Sequence, residues 1–536
     1  MFVQNARYKE SNSNSLNDTI SKTNSNFQFS LLYYKYPSIT QFLTPIYSPS
    51  SKMYKMVFAA VLTVAVWVLK NANHWVYETA RLGSKRFALP PGDLGWPFIG
   101  NMWSFLRAFK SPYPDSFMDS FFSRYGNTGM YKAFMFGSPS VIVTSAEACK
   151  RVLNDDEAFG SGWPLSTMKL IGEKSFIGIS YQEHKRLRRI TAAPVNGYDA
   201  LAAYLTYIEK IVVSSLEKWA SMGQIEFLTH LRKLTFKIIM YIFLSSETEA
   251  IMEALEREYT ELNHGVRAMA INIPGFAYYK ALKARKNLVA TFGSIVRGRR
   301  KERERKNNLR TKRRDMMDAL LDAEDEDGRR LSDEEIIDIL IMYLNAGHES
   351  SGHTMMWATI FLQQHPQFLQ KAKAEQEEIV KKRPPGQKGL TLKEVREMTY
   401  LSKVIDETLR VVTFSLTVFR EAKHDVKING YTIPKGWKVL VWFRSVHHDP
   451  ETYPNPKEFN PSRWDDFTPK AGSFLPFGAG SRLCPGNDLA KLEISIFLHY
   501  FLLSYKLERV NPKSPVRYLP HSRPKDNCLA RIKRLD

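Results

Sequence analysis

One helix of unusual length sets the frame for the rest of this chain. Ser332 and Glu335 stand three apart ahead of an apolar run, the pattern of a reciprocal helix cap. The run continues to His365-Pro366, where proline ends it. Residues 333–364 taken as one helix span about 48 Å at ~1.5 Å per residue. Its middle, Asn345-Ala-Gly-His-Glu-Ser-Ser-Gly-His353, is polar and holds two glycines. Such residues cost stability in a helix interior, so they point to a site. His348, Glu349 and His353 do not make a zinc-protease motif. That motif needs histidines four apart, and a spacing of five turns the second about 140° from the first.

The second constraint is the loop Phe474-Leu-Pro-Phe-Gly-Ala-Gly-Ser-Arg-Leu-Cys-Pro-Gly-Asn-Asp488, followed by an apolar helical run from Leu489 to Leu503. Gly478, Gly480 and Gly486 are expected to supply turns that other residues resist. A Cys484 thiolate there would meet backbone N–H groups and the positive end of a helix, as a permanent metal ligand requires. A lone cysteine is otherwise a buried, inert side chain. The flanking glycines and Arg482 favour the ligand reading. Cys149, Cys484 and Cys528 are too few for a disulfide framework, so the context reads as reducing.

Residues 1–52 are rich in Ser, Asn and Tyr, carry only Glu10 and Asp18 as acids, and show no apolar period, which predicts disorder. Two readings stay open: a plastid transit segment, or an extension upstream of a working start at Met53 or Met56. Met56 to Leu69 is free of charge between Lys55 and Lys70 and is extended by Trp75 and Tyr77, so residues 53–78 read as a membrane anchor. A buried core helix is the competing reading. Residues 79–100 form a basic and Pro-rich hinge, with Pro90, Pro91 and Pro97 forbidding a continuous helix. The domain itself is expected over 101–536.

Within it the pattern is mainly α with small β-sheets. Ser111 to Ile360 is mostly helical, with β structure near 130–143. Gln182 to Thr191 places His184 and Arg188 four apart on one helix face; the cluster reads as a solvated face or a clamp on an anion. Residues 297–314 hold eleven Lys or Arg against two Glu, expected as a solvated helix end and loop or as a docking surface for anionic lipid or an acidic partner. Thr391 to Thr413 reads as one helix, Val426 to Trp442 as hairpin strands turning at Asn429-Gly430, and the tail as short β. The net charge of +21 suits an anionic membrane or an acidic partner; with no zinc-finger spacing, aromatic RNA-binding signature or P-loop, no nucleic-acid partner is expected.

Four of these elements, in this order, resemble the cytochrome P450 superfamily, the haem-thiolate monooxygenases. Phe477-Gly-Ala-Gly-Ser-Arg-Leu-Cys-Pro-Gly486 resembles the haem loop Phe-x-x-Gly-x-Arg-x-Cys-x-Gly. Glu407-Thr-Leu-Arg410 resembles the Glu-x-x-Arg helix, whose pair joins an arginine such as Arg463 in a triad. Ala346-Gly-His-Glu-Ser350 resembles the oxygen-activating motif, with Ser350 where Thr is usual. The Pro-rich hinge resembles the membrane-bound type. His184 stands where the family has Trp, ahead of Arg188.

The resemblance implies the P450 fold with the long helix over haem b and an N-terminal anchor. It implies Cys484 as iron ligand, Phe477 and Gly486 beside it, and His184, Arg188, Arg420 and Arg482 at the propionates. Small residues Ala346 and Gly347 would leave room for O2, and Glu349 and Ser350 would relay protons. Electrons would come from NADPH through a reductase partner. Asn345 to Thr359 and Tyr518 to Arg531 resemble the plant ent-kaurenoic acid oxidase subfamily, implying stepwise oxidation of ent-kaurenoic acid to gibberellin A12 at the endoplasmic reticulum membrane, catalytic domain cytosolic, or alternatively at the plastid outer envelope. A sister branch oxidises the triterpene β-amyrin at C-11. An apolar terpenoid pocket is expected from Trp163 to Phe176, Asn345, Ala346, Phe414 to Val418 and near Leu519. Readings from another class are a haem electron carrier, which would need no proton relay, and a membrane scaffold.

Overall fold

The computed structural model describes residues 51–83, 87–245, 249–305 and 315–535. The disorder expected at the N-terminus and the tip of the basic block thus lie, over 1–50 and 306–314, outside the described residues. The chain divides into two units, Met1–Trp67 and Val68–Asp536. Helix α1, Ser51–His74, begins in the first. Its side chains there, Met56, Phe58, Val61, Leu62 and Trp67 among them, are exposed, and Met53–Ala80 is long and apolar enough to cross a membrane. An exposed apolar cylinder of this length is stable in lipid and costly in water.

In the second unit α1 runs on into a π-helical turn, Trp75–Ala80. Asn73 donates to the carbonyls of Leu94 (2.9 Å) and Trp96 (2.8 Å), tying the helix end to the Pro-rich segment. The helices that build the site are α2 (Tyr181–Asn196), α3 (Phe227–Leu244), α4 (Glu249–Val266), α5 (Asp333–Gln364), α6 (Thr399–Val412) and α7 (Asn487–Ser504). Helix α5 has the expected bounds. Glu335 N–H donates to Ser332 Oγ (3.2 Å), Ser332 N–H donates to Glu335 Oε2 (2.8 Å), and Pro366 follows the C-terminal cap. Helices α3, α6 and α7 pack around it, so it is apolar on nearly every face rather than along one stripe.

The largest sheet has strands β1 (Met130–Met135), β2 (Ser138–Val143), β3 (Phe159–Ser161), β4 (Thr417–Ala422) and β5 (Lys438–Trp442) in the order β1-β2-β5-β4-β3. Only β2 and β5 run parallel, with Ser140 opposite Lys438. Here one expectation is corrected. Val426–Ile428 and Tyr431–Ile433 do form a hairpin, with Asn429 and Gly430 at φ 49° and 79°, but β5 leaves it for the large sheet. Val439, Leu440, Val441 and Trp442 are all buried, and a strand apolar at consecutive positions needs cover on both faces. The expected β tail is present, Tyr505–Arg509 pairing with Leu529–Arg534.

Three further expectations change. The helix read over 391–413 is two, Leu392–Glu397 and Thr399–Val412. The Glu375 carboxylate accepts from Tyr400 N–H (2.6 Å) and Leu401 N–H (2.9 Å), capping a fresh helix start at the break. The basic block is not wholly solvated: Arg299 is 5% exposed and pairs with Asp315 (2.5 Å) and Asp318 (3.3 Å). In the 182–191 cluster, Arg186 pairs with Asp325 (2.6 Å) and Glu335 (3.0 Å) and Arg189 with Glu326 (2.5 Å), which leaves His184 and Arg188 for other work.

Candidate functional site

The cysteine loop is held by backbone geometry. Gly478 and Gly480 adopt φ of 76° and 71°, where other residues are strained, and a Cβ on Gly480 would fall 2.3 Å from the Leu153 carbonyl oxygen. Gly486 does not share this reason: its φ is −99°. A Cβ there would meet nothing within 4 Å, so this glycine leaves space open beside Cys484. Cys484 N–H donates to the Phe477 carbonyl (2.9 Å), closing the loop ahead of α7. Burial pushes the Cys484 thiol up, while the Gly486 N–H and the Arg188 charge favour its thiolate. Among the described residues no group of three or more His, Cys, Asp or Glu gathers to hold a bare ion. A thiolate with no protein co-ligands suits an iron that brings its own equatorial ligands.

Beside this loop stand three arginines and a histidine. His184 (3% exposed) and Arg188 project from α2, Arg420 (2% exposed) from β4, and Arg482 from the loop. Arg420 Nη2 donates to the Leu153 carbonyl (2.8 Å) and Arg482 Nη1 to that of Phe176 (3.1 Å). Three of their polar atoms, His184 Nδ1, Arg420 Nη1 and Arg482 Nε, are buried without a partner. Burial, then the charges of Arg482 and Arg188, lower His184 to about 3. Burial and Arg420 lower Arg482 to about 10, and Asp156, 3.3 Å from Arg420, is the acid that opposes them. Buried guanidinium donors left unpaired are costly unless an anion completes them. The two propionates of a haem fit this donor set, and its iron fits the lone thiolate.

Helix α5 passes the same region. Ala346 is exposed and Asn345, Gly347 and Ser350 half-buried in the middle of an otherwise buried helix. Ala346 and Ser350 are four apart and share a face; Ser350 Oγ donates to the Ala346 carbonyl (3.3 Å). Gly347 also packs against a neighbouring helix. Its Cβ position lies 3.2 Å from Ile239 Cδ1, so its smallness lets α3 approach. Glu349 does not stand free on the open face. It is 6% exposed and engaged by Arg267, Arg232 (3.6 Å) and Asn263 Nδ2 (3.0 Å). Burial opposes its ionisation, but the charges of Arg267 and Arg232 outweigh that and hold its carboxyl well below the usual range.

Beneath the cysteine loop lies a fully buried ion pair. Arg410 donates to Glu407 through Nε (2.9 Å) and Nη2 (2.8 Å), and Arg463 completes the triad at 3.4 Å. Two partners had no local sequence signal beyond adjacency: Trp464 Nε1 donates to Glu407 (3.1 Å), and His447 Nε2 accepts from Leu475 N–H (2.9 Å). Burial lowers His447 to about 3, so it is the neutral acceptor this bond needs. Arg410 also donates to the His447 carbonyl (2.9 Å), linking the ion pair to the loop. Of the stretches expected around a substrate, Phe176 packs on His184 (5.4 Å) and Tyr343 (5.9 Å), and Trp163 on Phe419 (5.0 Å). Phe414 stacks on His521 (3.9 Å), while Leu416 and Leu519 join an aromatic cluster around Trp442.

Comparison with known proteins agrees with this donor set. The family model for cytochrome P450 matches residues 90–524. The chain is 70% identical over 473 residues to ent-kaurenoic acid oxidase 2 of Arabidopsis thaliana, covering 88% of this chain and 96% of that one. It is 59% identical over 478 residues to ent-kaurenoic acid oxidase of Oryza sativa subsp. japonica, covering 89% and 94%. Among solved structures, the retinoic-acid-bound cyanobacterial CYP120A1 superposes with a TM-score of 0.75 at 26% identity, covering 84% of this chain and all of that one.

Proposed function

The chain belongs to the cytochrome P450 family and is a monooxygenase; from this premise we propose that it oxidises ent-kaurenoic acid in successive steps to gibberellin A12. The observation that carries the reading is Cys484 set beside three arginines and a neutral His184, with three buried polar atoms among them unpaired. The substrate rests on the 70% identity to a named ent-kaurenoic acid oxidase.

Bound haem supplies oxygen activation and hydroxylation of an unactivated C–H bond. The protein's part falls to named residues. Cys484 would hold the haem iron as a thiolate, a charge that the Gly486 N–H and Arg188 would ease. Arg188, Arg420 and Arg482 would hold the propionates by charge-assisted bonds, with neutral His184 beside them. Phe477 fastens the loop through its carbonyl, and the space at Gly486 admits the ring. Ala346 keeps the α5 face open, and the Ser350 hydroxyl, which donates to the Ala346 carbonyl, would turn from it to pass a proton. Glu349 can take up a proton only when Arg267 shifts from its carboxylate, so its role in delivery is gated by that ion pair. Repeated turnover at one carbon gives alcohol, aldehyde and acid.

P450 enzymes draw electrons from a reductase. For this chain we assign an NADPH-dependent one, which the surplus of 76 Lys and Arg over 55 Asp and Glu favours through attraction to an acidic face. The anchor helix places the enzyme on a membrane, in this reading that of the endoplasmic reticulum with the catalytic unit cytosolic. Microsomes carrying the chain and a reductase test the proposal. Oxidised products of ent-kaurenoic acid, identified by mass, are expected. Products from β-amyrin and none from the acid would overturn it.

A further inference from the structure

Around Glu349 the balance of charge is wrong for a closed structural ion pair. Arg267 bonds the carboxylate and Arg232 lies 3.6 Å away. A third guanidinium, Arg523, feels both arginines and Glu349, and its own bonds go only to the carbonyls of Leu519 (3.4 Å) and His521 (3.4 Å). No carboxylate bonds Arg523 among the described residues. Glu226 acts on Arg232 from a distance while bonded to Thr229 and Asn527, and Arg517 adds positive charge beside Arg523. The neighbouring histidines add no charge. Burial, ahead of the nearby arginines, lowers His348 to about 4, His353 to about 3 and His521 well below its ordinary value. Three arginines therefore converge on one close carboxylate.

The cluster also has an unused donor. Arg232 Nε is a buried donor without a partner; His353, fully buried and neutral, donates from Nδ1 to the Glu349 carbonyl (2.8 Å), so its unpartnered Nε2 is an acceptor. The cluster borders Phe414, in a stretch expected around the substrate: Phe414 stacks on His521 (3.9 Å), whose Nε2 lies 3.8 Å from Glu349 Oε2. An apolar acid entering such a site must bring its carboxylate to a cation, because burying it alone costs more than the apolar frame regains.

We propose that Arg267 and Arg523, with Arg232 behind them, form the subsite that takes the carboxylate of a monocarboxylic terpenoid substrate. The subsite rests on the diterpene-acid reading above and adds what that reading lacks, the residues that distinguish an acid from a neutral terpene. Arg267 is shared between Glu349 and the ligand, while Arg523 turns from backbone carbonyls to the carboxylate.

The test compares ent-kaurenoic acid with its methyl ester by equilibrium dialysis on the full-length holoenzyme, with the reduced carbon-monoxide spectrum as the check of intact haem. The wild type is expected to bind the acid about tenfold tighter than the ester, the effect of one charge-assisted pair. Arg523→Gln is expected to weaken the acid about tenfold and leave the ester within about twofold, with Arg523→Lys recovering part of the loss. Equal affinity of the wild type for acid and ester overturns the subsite, and needs no variant to fold. Equal weakening of both by Arg523→Gln, or full acid affinity in both Arg523→Gln and Arg267→Gln, overturns it as well. A wild type that binds neither compound refutes the substrate reading and the subsite with it.

Discussion

Glu407→Ala tests how the cysteine loop is supported. Glu407 is 0% exposed and accepts from Arg410 Nε and Nη2, Asn460 N–H (3.0 Å), Trp464 Nε1 and Arg463 Nε. Truncation leaves Arg410, also 0% exposed, without the one carboxylate that pairs with it among the described residues, which costs about 3–5 kcal/mol. The orphaned Asn460 N–H and Trp464 indole add about 1–3 kcal/mol each. The sum, at least about 5 kcal/mol, reaches the lower end of a whole domain's stability, about 5–15 kcal/mol. Arg410 keeps its bonds to the carbonyls of His447, Pro456 and Glu458, so the damage should centre on the Asn460–Trp464 turn and the loop tied through His447. Thermal melts by circular dichroism and haem content per chain are the assays. Glu407→Ala should not accumulate as a haem-loaded protein, while Glu407→Gln, which keeps an acceptor for some donors, should lose less. A Glu407→Ala protein with full haem and a melting point within a few degrees of wild type would refute the argument.

Cys484→Ala should lose the carbon-monoxide band of a thiolate-ligated haem, while Cys149→Ser and Cys528→Ser, both at sites where burial pushes the thiol up, should keep it in the same spectrum. Glu493 on α7 is 1% exposed, and burial, only partly opposed by Ser351, raises it to about 8. The folded state then holds a proton that the unfolded state releases above about pH 4.5, so this group's contribution to stability falls as pH rises from there to about 8. Glu493→Gln removes that penalty, and its apparent melting point should gain on wild type at pH 8 by more than at pH 5; an equal offset at both pH values would contradict the burial argument. Glu349→Gln should slow product formation and divert electrons to peroxide, measured as product per nicotinamide consumed; unchanged coupling would remove Glu349 from proton delivery.

Much of this protein was legible in local pattern. Capping at Ser332 and Glu335, proline at 366, and a charge-free run before a Pro-rich hinge are short-range signals, because helix ends and membrane length are settled by neighbouring residues. The cysteine loop was legible for the same reason, since its turns are built into Gly478 and Gly480. What the tertiary structure alone decided are matters of partner choice across long separations. Lys438–Trp442 pairs with a strand about three hundred residues earlier rather than with the adjacent hairpin. Gly347 serves Ile239 on another helix, Glu349 meets Arg232 and Arg267, and His447 fastens Leu475. No spacing rule reports such contacts, because their energy depends on burial and on which charges the fold brings together. The cysteine loop could therefore be read from the chain, whereas the unpartnered buried polar atoms beside it and the crowded arginines around Glu349 exist only once the chain is folded.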